Sequence, residues 1–432
     1  MKMGGEKVSS SSRSFSFPEA PMRSRALGEI HARPHVLIEA PRVVLQFAFM
    51  TEAGAAVDHA VLSELSRARG VAPPTRDASH HQLRWGTGTL RWERHSEFST
   101  YFWDGPLPDE PGAPLTDHPF GANFKPPGTL ISAVRVEIRK EPLDRAELLS
   151  HFDPASLCCC DVKEGQAEVI TDFQQNGDGQ TPIIVLDKGL SAASCSALVQ
   201  RLLDIETYRT LAMLGLFVAQ SLSPTLRNIE DGLAVITREM KARARDQNNS
   251  LLDELSDLAA ELEAGAAISL YRFGATSAYY EIVLERIKSL GESSVSGYET
   301  IGSFLERRLA PAVRTCQSVE ARQANLSRKL SRATILLRSW IDLEIEQQNS
   351  AVLASMDRRA NLQLRLQHTV EGLSVAAVSY YVVGLVGYLF KGLEDWGPHL
   401  KASTLTSFSV PIALVAVWTV VRSIRKRHST PA

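Results

Sequence analysis

Two long stretches without a charged residue stand near the C-terminal end of the chain, at residues 372–390 and 404–421. As helices rising about 1.5 Å per residue, each nearly matches the roughly 30 Å hydrocarbon core of a bilayer. The chain as a whole is 22% charged, so a buried soluble hairpin is the less favoured alternative. Pro411 is compatible with a membrane helix, because neighbouring groups satisfy the freed backbone carbonyl. The pattern predicts a two-helix transmembrane hairpin at 370–423 and a basic tail at 424–432.

Lysine and arginine residues are distributed unevenly around these two stretches. The connecting loop has Lys391 and Lys401, whose charges are offset by Glu394 and Asp395. The outer flanks carry seven basic residues: Arg358, Arg359, Arg365, Arg422, Arg425, Lys426 and Arg427. Because basic residues accumulate on the cytoplasmic side of a membrane protein, we expect both termini in the cytoplasm. The lipid bilayer is therefore the first partner that the sequence predicts.

The first apolar stretch has small residues on one face. Gly372, Ala376, Ser379 and Gly387 fall within a narrow sector when successive residues are placed 100° apart. Small residues allow membrane helices to approach closely, so we interpret this face as a packing surface. Lining a pore is the alternative use of the same residues.

The region at 191–369 has the pattern of long helices, and strand-type patterns end before it. Four helical stretches are expected, at 196–222, 224–247, 251–290 and 303–369. Pro224 is placed at the start of the second, a position where proline is favoured. In the last stretch apolar residues recur at steps of three or four, as in a coiled-coil seam: Leu326, Leu330, Ala333, Leu337, Ile341 and Ile345. We expect a stalk that packs on neighbouring helices or in a homo-oligomer.

The N-terminal half has mixed patterns. Residues 1–22 are polar and serine-rich, which predicts a disordered segment. At 23–190, short β-type runs alternate with helical patterns, which indicates an α/β domain. The runs lie at 42–50, 89–103, 131–139, 167–173 and 181–187, and the helices at 55–70 and 142–152. The expected fold class is α+β: an N-terminal α/β domain, long antiparallel helices, and a transmembrane hairpin.

Composition excludes several classes of protein. The net charge of −2 lacks the basic excess of a nucleic-acid-binding protein. The five cysteines do not form an evenly spaced disulfide framework, which fits a reducing compartment. The first twenty residues have no apolar core, so a secretory signal is not expected there.

Several stretches together resemble a bacterial family of uncharacterised membrane-anchored proteins, domain of unknown function 3422. They are EIHARP (29–34), RWERHSEFSTYFW (91–103), IETYRTLAMLG (205–215), YRFGATSAYYEIV (271–283), ERRLAPAVRTC (306–316) and residues 349–389. The resemblance covers about 23 to 425. It implies a protein of the bacterial inner membrane and carries no assigned activity.

The architecture also resembles that of CorA-type magnesium channels, with an α/β head, a very long helix and two terminal spans. Those channels have a Gly-Met-Asn signature at the end of the first span. Here Gly387, Tyr388 and Leu389 stand in its place, and Lys391 adds a cation near the expected mouth. A site for hydrated Mg²⁺ requires oxygen ligands rather than an ammonium group. A cation transporter is therefore the alternative hypothesis, after a membrane-anchored binding or scaffolding module.

Two groups of polar residues are candidates for ligand binding. His31 and Arg33 precede Pro34 and have the chemistry to bind an anion such as a phosphate, although a turn with a local ion pair is the simpler interpretation. Arg94, His95 and Glu97 lie in the run at 89–103. On a strand, His95 and Glu97 would share a polar face with Ser99 and Tyr101, capable of acid–base chemistry or metal binding. A solvated or interface face of the sheet is the simpler interpretation.

No catalytic, cofactor or metal site is predicted. Cys158, Cys159 and Cys160 are consecutive, and consecutive side chains point in different directions, so they are poorly placed to hold one zinc ion. The NGDGQ segment at 176–180 is interpreted as a turn rather than a calcium loop. A phosphate-binding loop of P-loop or Rossmann spacing is also missing from the sequence. An enzyme in the α/β domain at 23–190, called the head below, would rest on His95 and Glu97 alone.

Overall fold

The computed structural model describes residues 37–394 and 402–428, except 52–53, 77, 141–143 and 243–247, with isolated positions between 17 and 27. His31 and Arg33 lie outside the described residues, as does most of the segment predicted to be disordered. The chain divides into two compact units. The first consists of residues 1–239 and 254–332, and the second of residues 240–253 and 333–432.

A mixed β-sheet lies in the first unit, and all of its strands except the last come from the N-terminal half of the chain. Among the described residues, its nine strands are β1 (Arg42–Met50), β2 (His80–Trp85), β3 (Gly88–Arg94), β4 (Phe98–Gly105), β5 (Thr129–Lys140), β6 (Cys158–Val162), β7 (Ala167–Thr171), β8 (Thr181–Asp187) and β9 (Ser293–Ser294). Their order across the sheet is β2-β3-β4-β1-β5-β8-β7-β6-β9. The pairing of β5 with β8 is parallel, and the other neighbouring pairs are antiparallel.

Each face of the sheet is covered, because the strand side chains alternate between two apolar surfaces. Val134, Val136 and Ile138 of β5 belong to a large core that also includes residues of the long helices, such as Leu198 and Leu305. The opposite face is covered by two short helices, α1 (Ala55–Ala68) and α2 (Arg145–Leu149), over two smaller cores. Both faces of the central strands are thus removed from water.

Long helices follow the sheet. They are α3 (Ala192–Ala242), α4 (Asn248–Leu290) and α5 (Ile301–Glu394), and α6 (Ala402–His428) ends the chain. Within the first unit, α3 and α4 are antiparallel, since Asp204 bonds Arg286 and the Ala212 carbonyl accepts from Thr276. The predicted order of sheet domain, long helices and C-terminal apolar helix is confirmed.

The long helices of the first unit pack closely together at Gly215. A Cβ atom added there would lie 2.2 Å from the Thr276 hydroxyl of α4 and 3.1 Å from the Cys316 sulfur of α5. Because these distances are shorter than van der Waals contact, only glycine fits at this crossing without a shift of its neighbours.

Two predicted boundaries are wrong. The run at 89–103 is not one strand: it divides into β3 and β4, which pair with each other through a turn at residues 95–97. Pro224 does not begin a helix but lies inside α3. Buried Leu222 and Leu226 flank this proline, and their packing offsets the lost hydrogen bond.

In the second unit, α5 continues without interruption from the predicted stalk into the first apolar stretch. Leu337 is fully buried, whereas none of the residues at 338–378 is buried. Ser379 is the next buried residue of α5. In this segment of α5, about 40 residues long, every residue is therefore exposed or half-buried.

Candidate functional site

Glu97 occupies the turn between β3 and β4 and connects it to α4. Its carboxylate accepts two hydrogen bonds from the Arg272 guanidinium, at 2.7 and 3.2 Å. The hydroxyls of Tyr279 and Tyr271 donate to the same carboxylate, at 2.6 and 3.3 Å. Burial and the adjacent Glu97 carboxylate raise the pKa of Tyr279, so this phenol stays neutral and donates. These four hydrogen bonds hold the turn against α4, which indicates a structural role for Glu97.

Arg94 and His95 have other partners. The backbone amide of Arg94, at the end of β3, donates to the Ser79 carbonyl at 2.8 Å. The His95 ring stacks on Phe98 with a centroid separation of 4.3 Å. His95 and Glu97 therefore lie in a turn rather than on a strand face, and each is held by its own neighbours.

The polar face expected from His95, Glu97, Ser99 and Tyr101 is wrong, because the turn separates its members. Ser99 and Tyr101 of β4 instead bond to Asp58, which is fully buried on α1. The Asp58 Oδ1 atom accepts from Ser99 at 2.8 Å, Tyr101 at 2.7 Å and the Trp92 indole at 3.2 Å. Sequence reasoning missed Asp58, although an acidic residue in the first turn of an amphipathic helix was visible.

A buried charged triad lies on β5, on the face opposite its apolar residues. Glu137 accepts from Arg135 at 2.9 Å and from Arg139 at 2.7 and 2.9 Å. The same two arginines donate to loop carbonyls, Arg135 to Ala113 and Arg139 to Pro108 and Asp109. The triad therefore ties the loop after β4 to the centre of the sheet. Alternation along the strand placed these residues on one face, but nothing in the sequence identified them as buried.

A cavity of about 300 Å³ adjoins this triad. Arg135, Glu137 and His151 line it, together with the turn at 176–178. The cavity combines apolar walls, from residues such as Phe152 and Ile183, with a few charged and polar groups. This composition is typical of sites for small ligands.

The three consecutive cysteines lie on β6 and alternate between the two faces of the sheet. Cys158 and Cys160 belong to the large core, and Cys159 belongs to the core beneath α2. Cys159 donates to Glu168 at 2.7 Å, and Arg145 contacts its sulfur at 3.2 Å. Burial raises the pKa of Cys158 and of Cys159 to about 12. These thiols are therefore protonated and poorly nucleophilic at neutral pH.

We expect the native cysteines to be unreactive while the protein is folded. All five are buried free thiols, and burial also raises the pKa of Cys195 to about 11. A maleimide or aromatic disulfide reagent at pH 7.5 should label less than one thiol per folded chain and five after denaturation. Rapid labelling of one thiol in the folded protein would identify a reactive cysteine and contradict this account.

The two apolar helical segments are exposed in the second unit. In α5 and in α6, the most apolar window of 18 residues has a mean hydropathy of 1.8, and 6% of its residues are buried. Helices in the core of a soluble protein are mostly buried, so these segments differ from core helices. Leu385 and Ile412 illustrate the exposure, at 66% and 69%. By length and composition, both helices can cross a membrane.

Two of the four residues on the predicted small-residue face are buried or close to α6. Ser379 is buried, and a Cβ atom added at Gly387 would lie 3.4 Å from Thr406 of α6. Gly372 and Ala376 are exposed. At the other end of α6, the Arg422 guanidinium lies over the Trp418 ring at 4.8 Å, a pair typical of a membrane interface.

The structure combines a mixed-sheet head, long helices and a pair of exposed apolar helices. These features define a class of protein with candidate membrane spans. The chain belongs to the family described as protein of unknown function (DUF3422), whose model matches residues 18–428. No curated protein and no solved structure matches the chain.

Proposed function

We propose that this protein is anchored in the bacterial inner membrane by a two-span hairpin and faces the cytoplasm with its head. The head would bind or scaffold a partner at the membrane surface. The observation that carries the proposal is the exposure of two apolar helical segments, each of them long enough to span the bilayer core. In water, such surfaces would cause aggregation, whereas lipid tails would cover them.

The charge distribution supports the proposed orientation. Basic residues flank both apolar segments on one side, and the stretch between them has two lysines offset by two acidic residues. The positive-inside rule then places the head and the C-terminal tail on the cytoplasmic side. The cavity beside Arg135 and His151 is a candidate place on the head for a small anionic or polar ligand.

Cation conduction is not part of the proposed function. Gly387, Tyr388 and Leu389 replace the signature of the CorA-type channels, and Lys391 follows them. Gly387 instead approaches Thr406 of the neighbouring helix, which is a packing role. The Glu97 carboxylate accepts hydrogen bonds from Arg272 and Tyr279, which gives no support to an acid–base pair formed with His95.

The proposed topology predicts opposite results for two reporter fusions. Alkaline phosphatase, which is active only after export, should be active when fused after Pro398, between the spans. A fluorescent protein, which matures only in the cytoplasm, should be bright at Ala432. The reciprocal pair of fusions serves as the control and should be inactive and dark. An inactive phosphatase after Pro398, in a stable fusion, would contradict the two-span topology.

A further inference from the structure

The exposed segment of α5 that follows Leu337 and reaches the start of the first apolar span has a regular apolar stripe. From residue 345 to residue 373, the positions of the stripe alternate strictly in steps of four and three over four heptads. They are Ile345, Asn349, Val352, Met356, Arg359, Gln363, Leu366, Val370 and Leu373. This spacing is that of the core positions of a coiled coil.

The apolar members of this stripe are uncovered. Six of the nine positions are large apolar residues, and their exposed fractions range from 51% at Ile345 to 69% at Leu373. Along about 42 Å of helix, no other part of the second unit, as far as it is described, buries these residues. An exposed apolar surface of this length marks an interaction surface.

We propose that residues 345–373 pair with the same segment of a second copy of this chain, as a parallel, in-register coiled coil. The proposal rests on the proposed membrane anchor. Because α5 runs unbroken into the first span, two anchored copies enter the membrane at the same residue. Their stripes are then parallel and aligned, so each core position faces its own equivalent.

The identity of the polar core residues fits pairing between identical chains. Asn349 and Gln363 occupy the a positions of the heptads, where side-chain amides can bond to their equivalents across a parallel pair. Such residues lower stability but fix the register. Arg359 occupies a d position, where two like charges would oppose each other and keep the pair weak.

A lipid surface is a poorer occupant for this stripe. A helix that lies flat on the membrane needs a bend before it enters the membrane as a span. The helix is continuous through Glu394, and its nearest proline, Pro311, lies more than 30 residues before the stripe. An unbroken helix instead extends away from the membrane surface. Its stripe is then available to other helices that are anchored in the same membrane.

Cysteine crosslinking of the full-length protein in membranes tests the pairing. Val352→Cys and Leu366→Cys place thiols on the stripe, and Ala354→Cys and Asn361→Cys place them on the opposite face as matched controls. Equivalent core positions of a parallel pair lie within the 7 Å Cα separation that a disulfide requires. On mild oxidation, we expect disulfide-linked dimers from the two stripe variants and monomers from the two controls.

The same samples separate failure of the pairing from failure of the anchor. Equal crosslinking on both faces, or none on either, with the protein in the membrane pellet, would overturn the pairing and leave the anchor intact. Protein in the soluble fraction would overturn the anchor. As an independent readout, Arg359→Leu should increase dimer formation by Val352→Cys, because it removes the opposed charges. A decrease would contradict the proposed core.

Discussion

Replacing Glu137 by glutamine should destabilise the head by about 3–5 kcal/mol, because it leaves two buried arginines without their shared counter-charge. Arg135, Glu137 and Arg139 are all at least 95% buried as side chains. Glutamine has nearly the same shape, but its amide would turn a donor towards one of the arginines. The loss is therefore electrostatic and does not come from a cavity.

The measurement is denaturation of the purified full-length protein in detergent, followed by tryptophan fluorescence, since Trp92 and Trp103 are buried in the head. Glu64→Gln is the matched control. Glu64 is exposed and lies 3.5 Å from exposed Lys125, so this control should change stability by less than about 1 kcal/mol. Equal midpoints for the Glu137 variant and the wild type would show that the triad contributes little to the fold.

Introducing arginine at Leu385 and Ile412 together should remove the protein from the membrane. Each substitution replaces an exposed apolar side chain of a candidate span. Moving from leucine or isoleucine to arginine near the centre of a span costs about 3 kcal/mol on insertion scales. The two costs fall on different helices and should roughly add, which makes insertion of the hairpin unfavourable.

The readout is the fraction of the double variant that resists alkaline extraction from membranes. The matched control is Ile335→Arg with Leu336→Arg, which places the same charges at exposed apolar positions of α5 outside the spans. The control should remain in the membrane pellet, and the span variant should be degraded or soluble. Retention of both variants would show that neither Leu385 nor Ile412 lies in lipid.

The coarse fold could be predicted because it depends on periodicity and on hydropathy. Long stretches with helical spacing and a run of β-type segments were sufficient to give the order of sheet, long helices and apolar helices. Local departures were less predictable. The turn at 95–97 lacks glycine, proline and asparagine, so the sequence shows no break between β3 and β4. Pro224 is tolerated inside α3 because tertiary packing overrides its local preference.

The partners of polar residues were the least predictable part. Glu97 was singled out from its neighbours in sequence, but Arg272 and Tyr279, which hold it, are more than 170 residues away. The sequence does not predict the burial of Asp58 and Glu137, because a lone acidic residue on a helix or strand is usually exposed. Their burial depends on which elements cover them, and that information appears only in the tertiary structure.

Alkaline extraction of membranes from cells that produce the wild-type protein tests the central claim most directly. Carbonate at high pH releases peripheral proteins and leaves proteins with spanning helices in the pellet. If the hairpin spans the membrane, the full-length chain remains in the pellet and enters solution only with detergent. Release into the carbonate supernatant would contradict a membrane-spanning hairpin, and the exposed apolar helices would then require a protein partner.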